Sequence, residues 1–215
     1  SPMMICVADI HIRPGRNGDS ARFLAWLEGA KGRGGQIYIL GDLFDYWYSG
    51  IGGRFREVLD ALSSPQVSVI PGNRDFLLSR SSAPGAAILG EEEIVLSPTS
   101  QRLLLAHGHT LTNADRGFKA LHAFGWPVLR LLDRALPGAL KDRLARFLVS
   151  SSATVRPPRA SIDPSLASRK KVDMVVCGHL HRMILSERLI VLPPFFGTGR
   201  WLAWDEKGWR IEGGA

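Results

Sequence analysis

The chain has 215 residues, of which 45% are hydrophobic, 22% charged and 8% aromatic. At about 150 residues per domain this is one domain with a sizeable insertion, and the composition excludes a disordered chain, a collagen-like repeat and a disulfide-stapled miniprotein. Lys and Arg outnumber Asp and Glu by 27 to 20, a formal charge of +7, which points to phosphate-bearing partners (nucleic acid, nucleotides or an anionic membrane) without choosing among them.

The apolar run at 4–8 predicts a buried strand ending at Asp9. Phe23, Leu24, Trp26 and Leu27 recur at helical spacing over 20–30, with Asp19 or Ser20 as N-cap. A strand at 36–40, a helix at 54–62 and a strand at 67–70 complete a βαβαβ order, the pattern of an α/β sandwich. Residues 88–96 and 102–106 read as two antiparallel neighbours. The stretch 114–149 is helical throughout, broken by Pro127 and Pro137-Gly138, and 150–165 reads as a loop rich in Ser, Pro and Arg. Strands return at 172–177, 182–185 and 188–192. The terminal RWLAWDEKGWRIEG predicts a hairpin turning at 205–208, with Trp201, Ala203, Trp209 and Ile211 on one face. Cys6 and Cys177 sit in short apolar runs and read as reduced core thiols of a cytosolic protein. No apolar stretch approaches the roughly 18–20 residues that span a bilayer, and no signal peptide is legible.

Five motifs each place Asp, Asn or His directly after a strand-like run: Asp9-Ile10-His11, Gly41-Asp42, Gly72-Asn73-Arg74-Asp75, His107-Gly108-His109 and Gly178-His179-Leu180-His181. Strand C-termini converge at one edge of an α/β sheet, and five of the six histidines fall in these motifs. Imidazole with carboxylate suits Mn, Fe or Zn. A two-metal centre needs a bridging carboxylate and about three further ligands per ion. Asp9, His11, Asp42, Asn73, His107, His179 and His181 supply seven candidates. The Asp-x-His and His-x-His spacings put each pair on one side of an extended segment, and glycines before Asp42, Asn73 and His179 permit sharp turns. Such a centre acidifies a bridging water and clamps phosphoryl oxygens, the design for hydrolysing a phosphate ester.

This ordered set resembles the calcineurin-like metallophosphoesterase superfamily. The resemblance implies a four-layer αββα sandwich with a helical lid insertion. It also implies one metal held by Asp9, His11, Asp42 and His181, and another held by Asp42, Asn73, His107 and His179. YILGDLFDYW, PGNRDFLL, HGHTLTNAD and GHLHR are further similar to the UDP-2,3-diacylglucosamine pyrophosphohydrolases of lipid A biosynthesis. That family implies attack of a metal-activated water on the UDP side of a pyrophosphate, releasing UMP and 2,3-diacylglucosamine 1-phosphate. Two divalent ions are implied, Mn²⁺ foremost, with Fe, Zn or Mg as alternatives. Asn73, Arg74 and His107 carry the catalytic assignments. Arg74 stands where many superfamily members have histidine, and would grip phosphate oxygens bidentately. Substrate contacts fall to Arg74, Asp115, Arg156, Arg159 and His179. Asp115 either meets the glucosamine or caps a helix, and Arg156 and Arg159 either reach the uridine diphosphate or sit in a solvated loop. Asp45, Asp75 and His109 are expected beside the ligands rather than among them.

The expected organisation is a core of 1–113 and 172–215 with an insertion at 114–171. Within the insertion, residues 118–149 interleave Lys119, Arg130, Arg134, Lys141, Arg143 and Arg146 with Leu, Phe and Val. That pattern suits a membrane interface or a cap over acyl chains, or else a helical hairpin burying its own apolar face. Residues 118–171 hold 11 basic and 3 acidic residues, net +8, and the remainder 16 and 17, net −1. The charge therefore favours a UDP-linked diacylated glucosamine and an anionic membrane over a long nucleic acid. The lid also lacks the aromatic-basic alternation of a strand-binding groove. A nucleotide or other phosphodiester, nucleic acid included, is the alternative substrate. No protein partner is implied, and the expected location is cytoplasmic, peripheral on the cytoplasmic face of the inner membrane.

Overall fold

Alternation along β1 (Met4–Val7) sets the layering. Ile5 and Val7 point into one apolar cluster, and Met4 and Cys6 into another. A strand buried on both faces reads as a continuous apolar run, which is why MICV carries no polar alternation. The computed structural model describes residues 3–112, 125–154, 161–163 and 165–214. In chain order β1 is followed by α1 (Asn17–Gly32), β2 (Gln36–Leu40), a 3₁₀ turn (Ile51–Phe55), α2 (Arg56–Leu62), β3 (Val67–Ile70), β4 (Ala87–Ile88), β5 (Glu92–Leu96) and β6 (Arg102–Ala106). Then come α3 (Trp126–Ala135), α4 (Gly138–Thr154), α5 (Leu166–Arg169), β7 (Met174–Cys177), β8 (Ile184–Leu185), β9 (Leu189–Val191), α6 (Phe195–Thr198), β10 (Arg200–Asp205) and β11 (Gly208–Gly213).

Two sheets stack face to face, in the orders β11-β10-β1-β2-β3-β4 and β5-β6-β7-β9-β8. β1, β2 and β3 run parallel, as do β6, β7 and β9. Between the sheets lie Met4, Cys6, Leu40, Ile70, Leu103, Leu105, Met174, Val176 and Trp204. α1 and α2 cover the outer face of the first sheet through Phe23, Leu27, Val58 and Leu62. Ile162, Leu166 and Ala167 cover the second sheet over Leu104, Val175 and Val191. The result is the expected αββα sandwich. Cys6 and Cys177 are free and buried, and desolvation pushes both thiols well above their ordinary pKa.

Four local expectations need correction. The 88–96 run is not one strand. β4 belongs to the first sheet and β5 to the second, and the chain crosses between them at 89–91. Helix α1 begins at Asn17, without a side-chain cap at Arg16. Asp19 instead lies in the first turn, where it accepts hydrogen bonds from Arg13 Nε (2.7 Å) and Nη2 (3.0 Å). The Ser-rich stretch after 149 is helical to Thr154, so α4 extends beyond the predicted break. In the terminal hairpin Asp205 pairs with Gly208, which sets Leu202 opposite Ile211 and Trp204 opposite Trp209. Directly paired residues share a face. The inward set is therefore Leu202, Trp204, Trp209 and Ile211, while Trp201 packs on the helical side.

Candidate metal centre

All seven candidate side chains follow the C-terminal ends of β1, β2, β3, β6 and β7, and the backbone stitches these ends together. His11 N donates to Asp42 O (2.9 Å), Asp9 N to Gly41 O (3.3 Å) and Gly178 N to His107 O (2.8 Å). The last of these lies in the second sheet, and two contacts join the sheets across the seam. His179 N donates to Asp9 Oδ2 (2.8 Å), and His107 Nδ1 donates to Leu40 O (3.0 Å).

The pairs do not converge through strand alternation. Asp9, His11, Asp42, His179 and His181 all have positive φ, between 50° and 69°. Seven described non-glycine residues have this left-handed backbone and five of them are here. Such residues cost of order 1–3 kcal/mol each and persist where surrounding structure over-determines them. The preceding glycines also serve a different purpose from the expected one. Only Gly41 has positive φ among the three, and the others are required for space. A Cβ on Gly72 would lie 2.2 Å from Asp42 Oδ1, and one on Gly178 would lie 2.6 Å from Asp9 Oδ2. Because φ at Gly72 is ordinary, Gly72→Ala tests space alone. It is expected to lower divalent-cation affinity by about 10–100-fold with an unchanged circular-dichroism spectrum. Wild-type affinity in a calorimetric Mn²⁺ titration would refute the steric account.

Side-chain atoms gather in two overlapping groups able to hold a cation: Asp9, His11 and His181, and Asp9, Asp42 and His107. His11 Nε2 lies 3.4 Å from His181 Nε2, and His181 Nε2 lies 3.8 Å from Asp9 Oδ1. Asp42 Oδ2 is 3.9 Å from His11 Nε2 and 3.6 Å from His107 Nε2, so it faces both groups. His107 Nε2 is 2.9 Å from Asn73 Oδ1 and 3.3 Å from His179 Nδ1.

The donor set fits a cation. Asp9 Oδ1 is buried and has no hydrogen-bond partner among the described residues, an expensive state for a carboxylate oxygen unless a positive charge meets it. His107 gives its Nδ1 proton to Leu40 O, and burial lowers its pKa to about 4, so the ring is neutral and Nε2 presents a lone pair. Burial raises the Asp42 and Asp75 pKa values to about 7 and lifts Asp9 well above the carboxylate range, with the neighbouring Asp42 charge adding to the lift. Three carboxylates crowded out of water make a site built for added positive charge.

The supporting residues behave as the motif order implies. Asp75 is fully buried and accepts from Gly72 N (2.6 Å) and Phe44 N (3.2 Å), tying the β2 and β3 loops together. Asp42 Oδ1 accepts from Arg74 N (2.9 Å). Asp45 accepts from Arg74 Nη1 (2.9 Å) and lies 3.7 Å from His11 Nδ1. His109 is buried, its ring 5.3 Å from that of His107 and 5.4 Å from that of Trp126. Asp115, Arg156, Arg159 and His122 lie outside the described residues.

A contact the sequence reading missed is the seat of the α3–α4 hairpin. Tyr46 and Tyr48 hydroxyls each donate to Asp142 Oδ1 at 3.2 Å, Arg54 and Arg146 also reach Asp142, and Ser49 N donates to Asp133 Oδ1 (2.9 Å). Phe76, three residues past Asn73, stacks on Trp126 with ring centroids 4.1 Å apart. The DYWYS run after Gly41-Asp42 was the available signal, since two tyrosines flanking a tryptophan in a loop need partners for their hydroxyls. Beneath the hairpin is a cavity of about 200 Å³. Asn73, Arg74, Asp133 and Lys141 are among its polar lining, and Trp47, Leu129, Leu144 and Leu148 among its apolar lining.

Residues 4–183 match the family model described as calcineurin-like phosphoesterase. A UDP-2,3-diacylglucosamine hydrolase of Photorhabdus laumondii is 32% identical over 84% of this chain and 82% of its own length. Another of that name from Escherichia coli O139:H28 is 30% identical over 91% of this chain and 89% of its own. The solved structure of a single mutant of Vps29 from Entamoeba histolytica covers 98% of this chain and 97% of its own at 14% identity, with a TM-score of 0.47.

Proposed function

The chain belongs to the calcineurin-like phosphoesterase family, among the UDP-2,3-diacylglucosamine hydrolases, and from that premise we propose that it cleaves the pyrophosphate of UDP-2,3-diacylglucosamine to UMP and 2,3-diacylglucosamine 1-phosphate. It is a metal-dependent hydrolase by family. The observation that carries the substrate is the cavity under the hairpin, which Arg74 lines together with Leu129, Leu132, Leu144 and Leu148 of the hairpin. A ligand with a charged head and acyl tails suits a lining that joins an arginine to many apolar side chains.

Asp9, His11, Asp42 and His181 would hold one divalent ion, and Asp42, Asn73, His107 and His179 the other, with Asp42 shared; Mn²⁺ is the proposed metal. Bound there, the two ions supply a water acidified for attack and a clamp on phosphoryl oxygens. The chain's own groups orient the substrate. Arg74 lines the cavity and is held by Asp45, and its guanidinium would take phosphate oxygens of the substrate. His107, its Nδ1–H fixed by Leu40 O, keeps its Nε2 lone pair toward Asn73 and His179 and carries no second proton at neutral pH. His179 completes the phosphate contacts. Asp115 beside the glucosamine, and Arg156 and Arg159 toward the uridine diphosphate, complete the proposed substrate set.

The insertion 114–171 is proposed as a lid; among its described residues the α3–α4 hairpin lines a cavity with Asn73 and Arg74, and Ile162, Leu166 and Ala167 pack on the second sheet. Asp133 and Asp142 turn toward the core loop at 46–54, whereas Val128, Leu131, Leu140 and Phe147 are exposed beside Arg130, Arg134 and Arg143. Apolar side chains ringed by arginine suit an anionic membrane surface. No helix among the described residues is long and apolar enough to cross a membrane. The proposed location is peripheral, on the cytoplasmic face of the inner membrane.

The deciding assay incubates the protein with Mn²⁺ and UDP-2,3-diacylglucosamine and measures UMP. Stoichiometric UMP is expected. Turnover of a generic phosphodiester without UMP release would replace this substrate by another phosphodiester.

A further inference from the structure

Trp126 opens α3 and is the one buried residue of that helix, at 4% exposure. Its indole touches side chains from two of the motif loops. It stacks on Phe76, with ring centroids 4.1 Å and planes 17° apart, and it meets the His109 ring at 5.4 Å. Phe76 stands three residues past Asn73, and His109 two past His107. The same two loops meet at the ligands themselves, where Asn73 Oδ1 is 2.9 Å from His107 Nε2. His109 also packs ring against ring on His107 (5.3 Å) and His179 (6.2 Å). The other ligand group rests on different supports. His11 and His181 face each other with Nε2 atoms 3.4 Å apart, and Asp9 O accepts from Phe195 N (3.2 Å).

The stack lies where other packing is scarce. Trp126, Phe76 and Leu77 line both the cavity of about 200 Å³ beneath the hairpin and a neighbouring one of about 480 Å³. The stacked pair is therefore a wall shared by two hollows. A ring bordering empty space has few atoms to turn to if its partner is removed, so the loss of one ring leaves the other poorly held. We infer that Trp126 is a positioning residue: by stacking on Phe76 and packing on His109 it ties the hairpin to the Asn73 and His107 loops and keeps those two ligands in register for one ion of the pair. This rests on the division of the ligands between two ions proposed above. Metal ligands are oriented by neighbours that never touch the metal, and losing such a neighbour lowers affinity about 10–100-fold.

Two single-site backgrounds read the effect without turnover. His11→Ala removes a ligand from one group and leaves the Asn73 and His107 group, and Asn73→Ala does the reverse. Each protein is expected to keep about one equivalent of Mn²⁺ in a calorimetric titration. Adding Trp126→Ala should weaken that binding about 10-fold in the His11→Ala protein and leave it within about twofold in the Asn73→Ala protein. Phe76→Ala should reproduce the loss and add little to Trp126→Ala, because both break the same stack. Trp126→Phe, which keeps a ring over Phe76, should recover most of it. A merely structural role, or an unfolded variant, would weaken both backgrounds alike. Equal weakening in the two, weakening confined to the Asn73→Ala protein, or none in either overturns the inference, as does a loss that phenylalanine leaves unrepaired. If the His11→Ala and Asn73→Ala proteins do not each hold one ion, the two-ion division falls first and this inference with it, a result distinct from two intact single sites that are indifferent to Trp126.

Discussion

Asp42→Asn is expected to lower hydrolysis at least ~10³-fold and, in the same protein stripped of metal, to raise the melting temperature at pH 8. The two effects share a cause. Asp42 lies within 4 Å of both His11 and His107, so it faces both cation groups and its loss disables both. Without metal it is a buried carboxylate whose pKa burial has raised to about 7, with Arg74 drawing it back down. Its ionised form at pH 8 therefore costs the fold on the order of 1–4 kcal/mol. Asparagine removes the charge and keeps an acceptor for Arg74 N, so the gain is not cancelled by an orphaned donor. Alanine should inactivate equally but recover less stability, because Arg74 N then loses its partner. Melting curves in chelator, alongside metal content and turnover, check this. Residual activity well above ~0.1 per cent, or a lower melting point for the asparagine variant, would contradict it.

Metal-free protein is expected to lose stability between pH 5 and pH 8, while the upshift in melting on adding Mn²⁺ grows over the same range. Asp9, Asp42 and Asp75 have raised folded-state pKa values, those of Asp42 and Asp75 at about 7. The contribution of Asp42 and Asp75 is full below the unfolded carboxylate pKa near ~4 and is lost as pH rises through about 7, and Asp9 acts in the same sense. His107 works in the opposite sense. Lowered to about 4, its contribution is present above ~6.5 and lost as pH falls through about 4. Three carboxylates outweigh one imidazole, so the metal-free optimum is acidic. A cation needs the carboxylates ionised and must displace protons below pH 7, so its stabilisation is largest at pH 8. Thermal melts at pH 5.5 and pH 8, with and without Mn²⁺, provide the test; a metal-induced shift equal at both values would rule out proton-linked binding.

Much of the site was legible because it is local. A strand followed by Asp, Asn or His needs only a short apolar run and the next two residues, and parallel strands carry the five motifs to one edge. Features that depend on distant partners were not legible. Gly72 and Gly178 look like turn residues until the approach of Asp42 and Asp9 shows that a methyl group has no room. Asp133 and Asp142 look like solvated charges of a basic helix until Tyr46, Tyr48 and Ser49 are seen to face them. The division of 88–96 between two sheets has a local trace only in Gly90, and the facing of Trp201 against Trp209 follows from a register set by the two-residue turn at Glu206-Lys207.

The seam between the sheets has a consequence for how the protein is made. β1 takes its parallel partner from residues 36–40 but its antiparallel partner from residues 200–205. Asp9 likewise depends on His179 N, from residues translated some 170 positions later. A nascent chain that has emerged as far as β3 carries Asp9, His11, Asp42 and Asn73 without His107, His179 or His181, and so offers part of each metal group and neither whole. Ribosome-bound fragments ending before residue 181 should therefore bind Mn²⁺ weakly, with capture arriving abruptly once β7 and its histidines clear the exit tunnel. Loading with metal therefore waits until β7 and its histidines have been made and the two sheets can meet.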